Sequence, residues 1–298
     1  MTLVAIIVAK DQKLSPRAAA DLRANLPNAQ EPNWLSENEA CEISFAPSQN
    51  LDKKARRELA SALRDNLSLS ADIAVLPAGN RRKKLMIADM DSTMIGQECL
   101  DELAREAGFY DKVAAITESA MRGEIEFEPA LRERVALLRS LPASVIDDVL
   151  KKRITYNDGA KTLVMTMKKH GALTALVSGG FTLFTQPVTD ALGFDWNSAN
   201  TLGVENGLLT GDVASPIVGR EAKKNALLEL CAQRQLETDD TFAIGDGAND
   251  MAMIETAGLG IAFHAKPVLA DVADAEIRYG DLHTALYYQG YKRAEFVN

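Results

Sequence analysis

Apolar runs and amphipathic stretches alternate along the first 80 residues and predict a small α+β unit. We predict strands at residues 3–9, 40–46 and 71–76, and helices at residues 16–26 and 51–67. The first helix begins with an N-cap serine, Ser15, followed by Pro16. The stretch 27–39 is polar and contains two prolines, so we expect it to be irregular. This order of elements is typical of a ferredoxin-like fold.

The pattern changes after residue 84, where strands begin to alternate with helices. We predict strands at residues 85–88, 172–177, 241–244, 259–263 and 277–279, and helices at residues 158–169, 182–192, 220–234, 251–257 and 282–288. Such alternation predicts an α/β fold with a doubly wound parallel sheet and helices on both faces. Residues 195–215 look like hairpins. A mostly helical insertion at about 96–155 should cap the carboxyl ends of the strands, so the predicted domains are 1–80 and 81–298.

Composition and charge narrow the class of protein. The net charge of −9 argues against nucleic acid as a partner, and any phosphate ligand would need a local positive site. The three cysteines are widely separated and lack metal-ligand spacing, which is typical of reduced thiols in a cytoplasmic protein. The apolar run at 3–9 is too short to span a membrane. The basic run at 81–84 fits a solvated linker better than a nucleic-acid patch.

Two carboxylates, Asp89 and Asp91, directly follow the predicted strand at 85–88. The carboxyl ends of parallel strands are where open α/β sheets bind their ligands. Two unpaired acids in such a place would repel each other, so a bound cation or a catalytic role would explain both. Strand-end aspartates are also common as caps, and the pair by itself does not decide between these interpretations.

Further polar groups are predicted near the same edge of the sheet. They are Ser178 with Gly179 and Gly180, Lys223 near the start of a helix, and Asp246, Asn249 and Asp250 in a glycine-rich loop. The aspartates offer the oxygen ligands that Mg²⁺ prefers, the serine and glycine amides can seat an anion, and the lysine supplies positive charge. Each group alone fits a common turn, loop or solvated helix residue. Together, without a nucleotide-binding glycine loop, they predict transfer of a phosphoryl group from a small ester to water.

These positions resemble the motifs of the haloacid dehalogenase superfamily and, within it, of the phosphoserine phosphatases. The matching stretches are Asp89-Met90-Asp91-Ser92-Thr93, Ser178-Gly179-Gly180-Phe181, Lys223 and Gly245-Asp246-Gly247-Ala248-Asn249-Asp250, and the resemblance covers about residues 84–290. It implies that Asp89 is the nucleophile and Asp91 the general acid and base. Mg²⁺ would be held by Asp89, Asp246 and the backbone carbonyl of Asp91. Phosphate binding falls to Ser178, Gly179 and Lys223, and Asn249 and Asp250 would support the substrate and the metal.

The resemblance also places substrate recognition in the cap. Residues matching Glu98 and Arg134 bind the ammonium and carboxylate groups of O-phospho-L-serine, and those matching Met121 and Phe127 form apolar walls. A guanidinium can bind a carboxylate through two parallel hydrogen bonds, which suits this role. Without the resemblance, Glu98 is equally a helix N-terminal acid and Arg134 an exposed helix arginine. Only one of the neighbours Arg132 and Arg134 can face inward.

The resemblance therefore implies a Mg²⁺-dependent phosphatase that forms L-serine and phosphate through an aspartyl phosphate, as the last step of serine biosynthesis. The alternatives are a related phosphatase acting on another small phosphate monoester, and an amino-acid-sensing regulatory protein. The minimal family pattern lacks residues 1–80, and some longer members carry an ACT-like domain there. That part would bind an amino acid or support self-association, and structural packing is the alternative explanation.

Overall fold

The computed structural model describes residues 2–9, 11 and 13–297 of the 298-residue chain. These residues form a four-stranded, a six-stranded and a two-stranded β-sheet. The strands are β1 (Leu3–Ala9), β2 (Asn33–Ser36), β3 (Ala40–Phe45), β4 (Ala71–Pro77), β5 (Leu85–Ala88), β6 (Leu173–Phe181), β7 (Trp196–Asn200), β8 (Leu202–Glu205), β9 (Leu208–Val213), β10 (Thr241–Gly245), β11 (Leu259–Phe263) and β12 (Ala275–Ile277). The helices are α1 (Pro16–Ala24), α2 (Lys53–Asp65), α3 (Cys99–Glu106), α4 (Tyr110–Met121), α5 (Phe127–Ala136), α6 (Val145–Lys152), α7 (Ala160–Lys169), α8 (Thr182–Leu192), α9 (Arg220–Arg234), α10 (Met251–Thr256), α11 (Pro267–Ala270) and α12 (His283–Tyr288).

The amino-terminal unit consists of β1 to β4 with α1 and α2. Its sheet is antiparallel, with strand order β2-β3-β1-β4, and the sequence of elements is that of the predicted ferredoxin-like fold. Both helices pack on one face of the sheet through residues such as Ile7, Leu22 and Leu63. The prediction of irregular chain at 27–39 is wrong, because Asn33–Ser36 pairs with β3 as an edge strand. A strand of four residues directly after a proline leaves little signal in the sequence.

The main unit, from β5 onward, is built on the six-stranded sheet. This sheet is parallel throughout, with strand order β12-β11-β10-β5-β6-β7. Adjacent residues of β5 face opposite layers: Met86 belongs to the apolar cluster of α7 and α8, and Ile87 to that of α9 and α10. The predicted doubly wound α/β fold is therefore confirmed. The carboxyl ends of β6, β5 and β10 lie side by side at the point where the chain reverses its direction across the sheet.

Three predicted segments of the main unit differ from the structure. Trp196–Asn200 is not part of a hairpin but forms β7, a parallel edge strand, and the hairpin is β8 with β9. The strand predicted at 277–279 lies earlier, at Ala275–Ile277. β6 continues through Ser178 to Phe181, so the serine–glycine motif belongs to the strand and not to a loop after it. Each of these strands is defined by hydrogen bonds to a neighbour distant in sequence, which local patterns do not reveal.

The amino-terminal unit packs the second face of its sheet onto the main unit. Val4 and Ile6 belong to the same apolar cluster as Tyr287 of α12. At the edge of this contact, the buried carboxylate of Asp72 accepts hydrogen bonds from the backbone N–H groups of Arg278 and Gly280, both at 2.7 Å. A carboxylate that is removed from water must find donors elsewhere, and here the other unit supplies them.

The prediction of a solvated linker at 81–84 is confirmed for Arg82 and Lys84, which are exposed, and is wrong for Arg81 and Lys83. Arg81 forms an ion pair of 2.6 Å with Glu42 and donates to two carbonyl oxygens at the end of α12. Lys83 is 9% exposed and donates to the carbonyl oxygen of Asp239 at 2.7 Å. Arg81 thus fastens the two units together, because it satisfies acceptors on both sides of the contact, whereas Lys83 bonds within the main unit.

Helices α3 to α6 are inserted between β5 and β6 and form the cap. Within it, α3 packs on α4, and α4 packs on α5. The cap also reaches the main unit, where α5 contacts β9 and α4 lies against residues 248–250. Among the described residues, none of the helices combines the length and the apolar character needed to cross a membrane.

Candidate active site

Asp89 is the first residue after β5, and the chain is still held in register there. Its N–H donates to the carbonyl oxygen of Ile244 in β10 at 3.0 Å, so the end of β5 is fixed beside β10. The side chain is 2% exposed, and its Oδ1 accepts from the N–H of Met90 at 2.8 Å. Sheet pairing thus places a buried carboxylate at the carboxyl edge of the sheet, where the sequence predicts the nucleophile.

Lys223 of α9 joins two of the buried carboxylates. Its Nζ lies 2.7 Å from Oδ1 of Asp89 and 2.6 Å from Oδ1 of Asp250, and the lysine side chain is fully buried. Burial alone would lower the pKa of Lys223, but the two carboxylates outweigh this effect and raise the pKa above its usual value. The lysine is therefore a fixed positive charge at the end of β5.

Lys223→Met should destabilise the protein strongly, because it leaves two buried carboxylates without their counter-charge. Breaking a buried ion pair by removal of one partner costs about 3–5 kcal/mol of unfolding free energy. Urea unfolding at neutral pH measures this loss. The matched control is Lys224→Met at the next, partly exposed position, which should change stability by less than about 0.5 kcal/mol. Equal effects of the two substitutions would contradict the bridging role of Lys223.

Asp250 is held from both sides and so has little capacity left for a ligand. Besides the bond to Lys223, its Oδ2 accepts from the backbone N–H groups of Asp246 and Gly247 at 3.1 and 3.2 Å. A Cβ atom at Gly245 would overlap the Asp250 carboxylate, so only glycine fits at the end of β10. Asp250 therefore shapes the loop and orients Lys223, a role that motif spacing alone does not reveal.

A cluster of carboxylate oxygens suits a divalent cation. One oxygen each from Asp89, Asp246 and Asp250 lie within 4.8 Å of one another, and Oδ1 of Asp246 is buried without a hydrogen-bond partner among the described residues. Burial, reinforced by the neighbouring carboxylates Glu98 and Asp250, raises the pKa of Asp246 well above its usual range. Both oxygens of Asp250 already accept hydrogen bonds, so Asp89 and Asp246 are the side chains that could ligate a cation. Mg²⁺ prefers carboxylate oxygens as ligands. The Asp91 carboxylate lies outside this cluster.

Asp91 lies between the cap and β6. Its Oδ1 accepts from the N–H of Cys99 in the first turn of α3 at 3.1 Å, and its Oδ2 lies 3.4 Å from Oγ of Ser178. Burial raises the pKa of Asp91 to about 6 and that of Asp89 to about 7. The chain by itself therefore makes both carboxylates easier to protonate and does not make Asp91 the weaker acid. A cation beside Asp89 would lower the pKa of Asp89 and reverse this order.

Ser178 and Gly179, the predicted anion seat, lie in β6. Ser178 is fully buried, and its Oγ accepts from the N–H of Gly180 at 2.8 Å. Asn200, the last residue of β7, donates to the carbonyl oxygen of Gly179 at 2.8 Å and accepts from the N–H of Val218 at 2.7 Å. Asn200 thus ties the seat to the segment before α9. Sequence reasoning missed it, because residues 195–215 were assigned to hairpins.

The cap and the sheet edge enclose one cavity of about 520 Å³, part of it open to solvent. Most of the predicted site residues line it: Asp89, Asp91, Glu98, Met121, Phe127, Arg134, Ser178, Gly179 and Asn249. Lys223 and Asp246 are not lining residues but lie next to Asp89. A Cβ atom at Gly179 would stand 2.7 Å from the ring of Phe127, and one at Gly247 would stand 2.8 Å from Sδ of Met121. Phe127 and Met121 of the cap therefore pack directly against these two glycines.

Arg134 is the inward-facing arginine of α5. It is 5% exposed, its Nε donates to the carbonyl oxygen of Ala130 at 3.1 Å, and its Nη1 donates to Oγ1 of Thr117 at 2.8 Å. Thr117 in turn donates to Asp101 at 2.6 Å. No carboxylate of a described residue lies within 4.0 Å of the guanidinium, whereas Arg132 on the exposed face pairs with Glu128 at 2.8 Å. Arg134 is thus oriented by neutral acceptors and forms no ion pair among the described residues.

Glu98 is the N-cap residue of α3 and faces the same cavity. It does not cap the helix through its side chain, and its Oε1 accepts from the hydroxyl of Ser92 at 2.6 Å. Desolvation in the cavity, with the nearby Asp91 carboxylate, raises the pKa of Glu98 to about 8. An ammonium group bound beside Glu98 would stabilise the charged form of this carboxylate. Ser92 thus orients Glu98, and Thr117, itself bonded to Asp101, orients Arg134. Ser92 lies in a matching motif but has no predicted role, and Thr117 and Asp101 belong to no motif.

Comparison with known proteins defines the class of this one. A family model described as haloacid dehalogenase-like hydrolase matches residues 86–255, more than half of the chain. The chain therefore belongs to the haloacid dehalogenase-like hydrolases. It is similar to the phosphoserine phosphatase of Archaeoglobus fulgidus, with 47% identity over 211 residues, which cover 70% of this chain and 61% of that protein.

Solved structures give the same grouping. A phospho-aspartyl intermediate analogue of phosphoserine phosphatase superimposes with a TM-score of 0.67 and 43% identity, covering 69% of this chain and 98% of that one. A haloacid dehalogenase family hydrolase from Salmonella enterica has a TM-score of 0.83 and 28% identity, covering 96% of this chain and 98% of that one. The chain spans 61% of the length of the Archaeoglobus fulgidus relative and of a phosphoserine phosphatase from Streptomyces coelicolor.

Proposed function

We propose that this protein hydrolyses O-phospho-L-serine to L-serine and phosphate through an aspartyl-phosphate intermediate, the last step of serine biosynthesis. The observation that carries the proposal is one cavity lined by the aspartate pair, by Ser178 and Gly179, and by Glu98 and Arg134. A phosphoryl group, an ammonium and a carboxylate each find a group of complementary charge there. The relatives named phosphoserine phosphatase support the same substrate.

Asp89 is proposed as the nucleophile. Its carboxylate attacks phosphorus in line with the departing serine oxygen, and the phosphoryl group passes to the aspartate. Lys223, together with Ser178 and the N–H of Gly179, stabilises the charge on the phosphoryl oxygens. Asn249, whose buried Oδ1 has no partner among the described residues, supports the substrate from the other side.

Asp91 is proposed as the general acid and base. It donates a proton to the leaving serine oxygen and then takes one from the water that hydrolyses the aspartyl phosphate. Its raised pKa favours the protonated form that the first step needs. The N–H of Cys99 and the hydroxyl of Ser178 orient this carboxylate, which lines the cavity.

The proposed metal is Mg²⁺, held by Asp89, Asp246 and the backbone carbonyl of Asp91. Its chemistry is to neutralise charge on the phosphoryl oxygens and to keep Asp89 ionised. The unpartnered Oδ1 of Asp246 supports this assignment, since a buried carboxylate oxygen without a donor is costly unless a cation is bound.

Removal of the metal should abolish activity and also lower stability. Treatment with EDTA leaves the buried Asp246 carboxylate without a counter-charge beside Asp89 and Asp250. The midpoint of thermal unfolding should therefore fall, and it should recover when Mg²⁺ is added. Phosphate release and thermal unfolding measure the two effects. The control is Asp246→Asn, in which the thermal response to Mg²⁺ should be lost. Full activity in EDTA would contradict a metal requirement.

Substrate recognition is proposed to rest on Glu98 and Arg134. Glu98 binds the ammonium group, and Arg134 binds the carboxylate through its guanidinium. Met121 and Phe127 form the apolar walls, and their packing on the glycine loops excludes water from the closed cavity. The cap must open for serine to leave.

A panel of phosphate esters tests the substrate, with free phosphate as the readout. Phosphoethanolamine lacks the carboxylate, 3-phosphoglycerate lacks the ammonium, and phosphothreonine adds a methyl group against the walls. Phosphoserine should have the highest kcat/KM, and loss of either charged group should lower it by about tenfold or more. Equal rates across the panel would favour a phosphatase for another small phosphate monoester.

The cellular setting is proposed as cytoplasmic, with no nucleic-acid partner. Cys41, Cys99 and Cys231 are all buried free thiols, as expected in a reducing compartment. Residues 1–80 are proposed as a separate ACT-like domain beside a phosphatase domain at 81–298. An amino-acid ligand or self-association of the amino-terminal domain remains a proposal that a titration of the full chain with amino acids would test.

A further inference from the structure

A second cleft lies between the two units, on the side of α2. It encloses about 800 Å³ of space, part of it open to solvent. One wall is a face of α2 that carries Arg57, Ser61 and Arg64, which follow one another at helical spacing. The opposite wall is formed by residues 270–276 and 278 of the main unit. None of these residues lines the candidate active site.

Most charges around this cleft are already compensated. Asp274 pairs with Lys53 at 3.1 Å and with Arg56 at 3.6 Å. Glu276 pairs with Arg278. Asp271 also lines this wall and forms no ion pair among the described residues, and Glu58 of α2 lies 3.8 Å from Lys54. Arg57 has only the carbonyl oxygen of Ala273, at 3.2 Å, as a partner there.

Among the described residues, Arg64 forms no ion pair within 4.0 Å, and the buried Asp72 carboxylate, which interacts with its charge at longer range, is already held by backbone N–H groups of the main unit. Arg64 is 8% exposed, and its Nε is buried without a hydrogen-bond partner among the described residues. Its Nη2 makes one long bond of 3.4 Å to the carbonyl oxygen of Ile73. In the part of the chain that the structure describes, no carboxylate comes within 4.0 Å of this guanidinium. Buried charges are normally paired, because removing them from water is costly.

We propose that this cleft binds a small oxyanion, a phosphate or carboxylate group, between Arg64 and Arg57. A guanidinium presents parallel donors that match two oxygens of either group, and the hydroxyl of Ser61 lies on the helix turn between the two arginines. The anion would join α2 to the main unit across the cleft and so stabilise the contact between the units. This site is separate from the proposed catalytic function and does not depend on it.

Thermal unfolding of the full chain in EDTA tests the site, with inorganic phosphate and succinate as separate probes at constant ionic strength. At least one probe should raise the unfolding midpoint in a saturable manner. In Arg64→Gln the concentration needed for half of the shift should rise about tenfold or more, because a charge-assisted contact is lost. A shift with phosphate alone or succinate alone identifies which group the cleft prefers.

Two further variants separate the site from general charge effects. Arg57→Gln, at a partly exposed position, should weaken the same response and replaces Arg64→Gln as the test if that variant is unfolded by circular dichroism. Lys54→Gln removes the same charge from the rim of the same cleft, where the lysine side chain is 77% exposed, and should leave the response unchanged. An absent shift in the wild type, or an equal shift in all four proteins, would overturn the proposal.

Discussion

Asp89→Asn should lower kcat for phosphoserine by about 10³-fold or more and abolish the phosphate that acid quenching traps on the protein. The amide has nearly the size of the carboxylate but cannot attack phosphorus. Lys223 retains its bond to Asp250, so the folded structure should persist. Acid-quenched reactions with radiolabelled phosphoserine measure the trapped phosphate, and thermal unfolding verifies the fold. Substantial residual turnover would rule out Asp89 as the nucleophile.

Asp91→Asn is the control that separates the two carboxylates by role. It should slow the reaction of phosphoserine strongly, since the serine oxygen needs a proton in order to leave. With p-nitrophenyl phosphate, whose leaving group needs little protonation, the phosphorylated protein should still form and should accumulate. Loss of trapped phosphate with both substrates would contradict the assignment of Asp91 as acid and base.

Arg134→Ala should raise KM for phosphoserine by about 10- to 100-fold, with a much smaller effect on p-nitrophenyl phosphate. The guanidinium is buried, faces the cavity and has no carboxylate within 4.0 Å among the described residues, so the substrate carboxylate would be its main partner. Steady-state kinetics with both substrates separate recognition from chemistry. Equal losses on both substrates would show that Arg134 is structural.

The chain supplies two matched tests of that result. Arg132→Ala, two residues away on the exposed face of α5, should leave KM and kcat unchanged for both substrates. It removes only the surface ion pair with Glu128. Thr117→Val removes the hydroxyl that orients Arg134 and should raise KM for phosphoserine selectively, whereas Thr117→Ser should restore it. A rise with both Thr117 variants would point to packing and not to the hydroxyl.

Elements with complete local signals were predictable. The helices at 182–192 and 220–234 have the predicted bounds, and Gly193 ends the first of them in a left-handed conformation that glycine adopts easily. The strands β2, β7 and β12 were missed or misplaced. They are short and lie at the edges of their sheets, where pairing with a single neighbouring strand defines them and the local pattern is weak.

The residues of the site likewise fall into those that sequence motifs reveal and those that only the packing reveals. Asp89, Ser178 and Asp246 were found because their motifs stand at strand ends, and parallel strands bring such ends together whatever the detailed packing. The sequence by itself thus determined the fold class and the family motifs of the site. The choice of Arg134 over Arg132 rested on the resemblance alone, and the structure shows that Arg134 is the buried one of the two.

Only the tertiary structure decided which side chains are buried and what they contact. It turned Arg134 inward against Thr117, bound both oxygens of Asp250 and left Arg64 without an ion pair among the described residues. It also anchored Arg81 in the contact between the units. These outcomes depend on burial and on partners far apart in sequence, because the free energy of a charge is set by its surroundings and not by its neighbours in the chain.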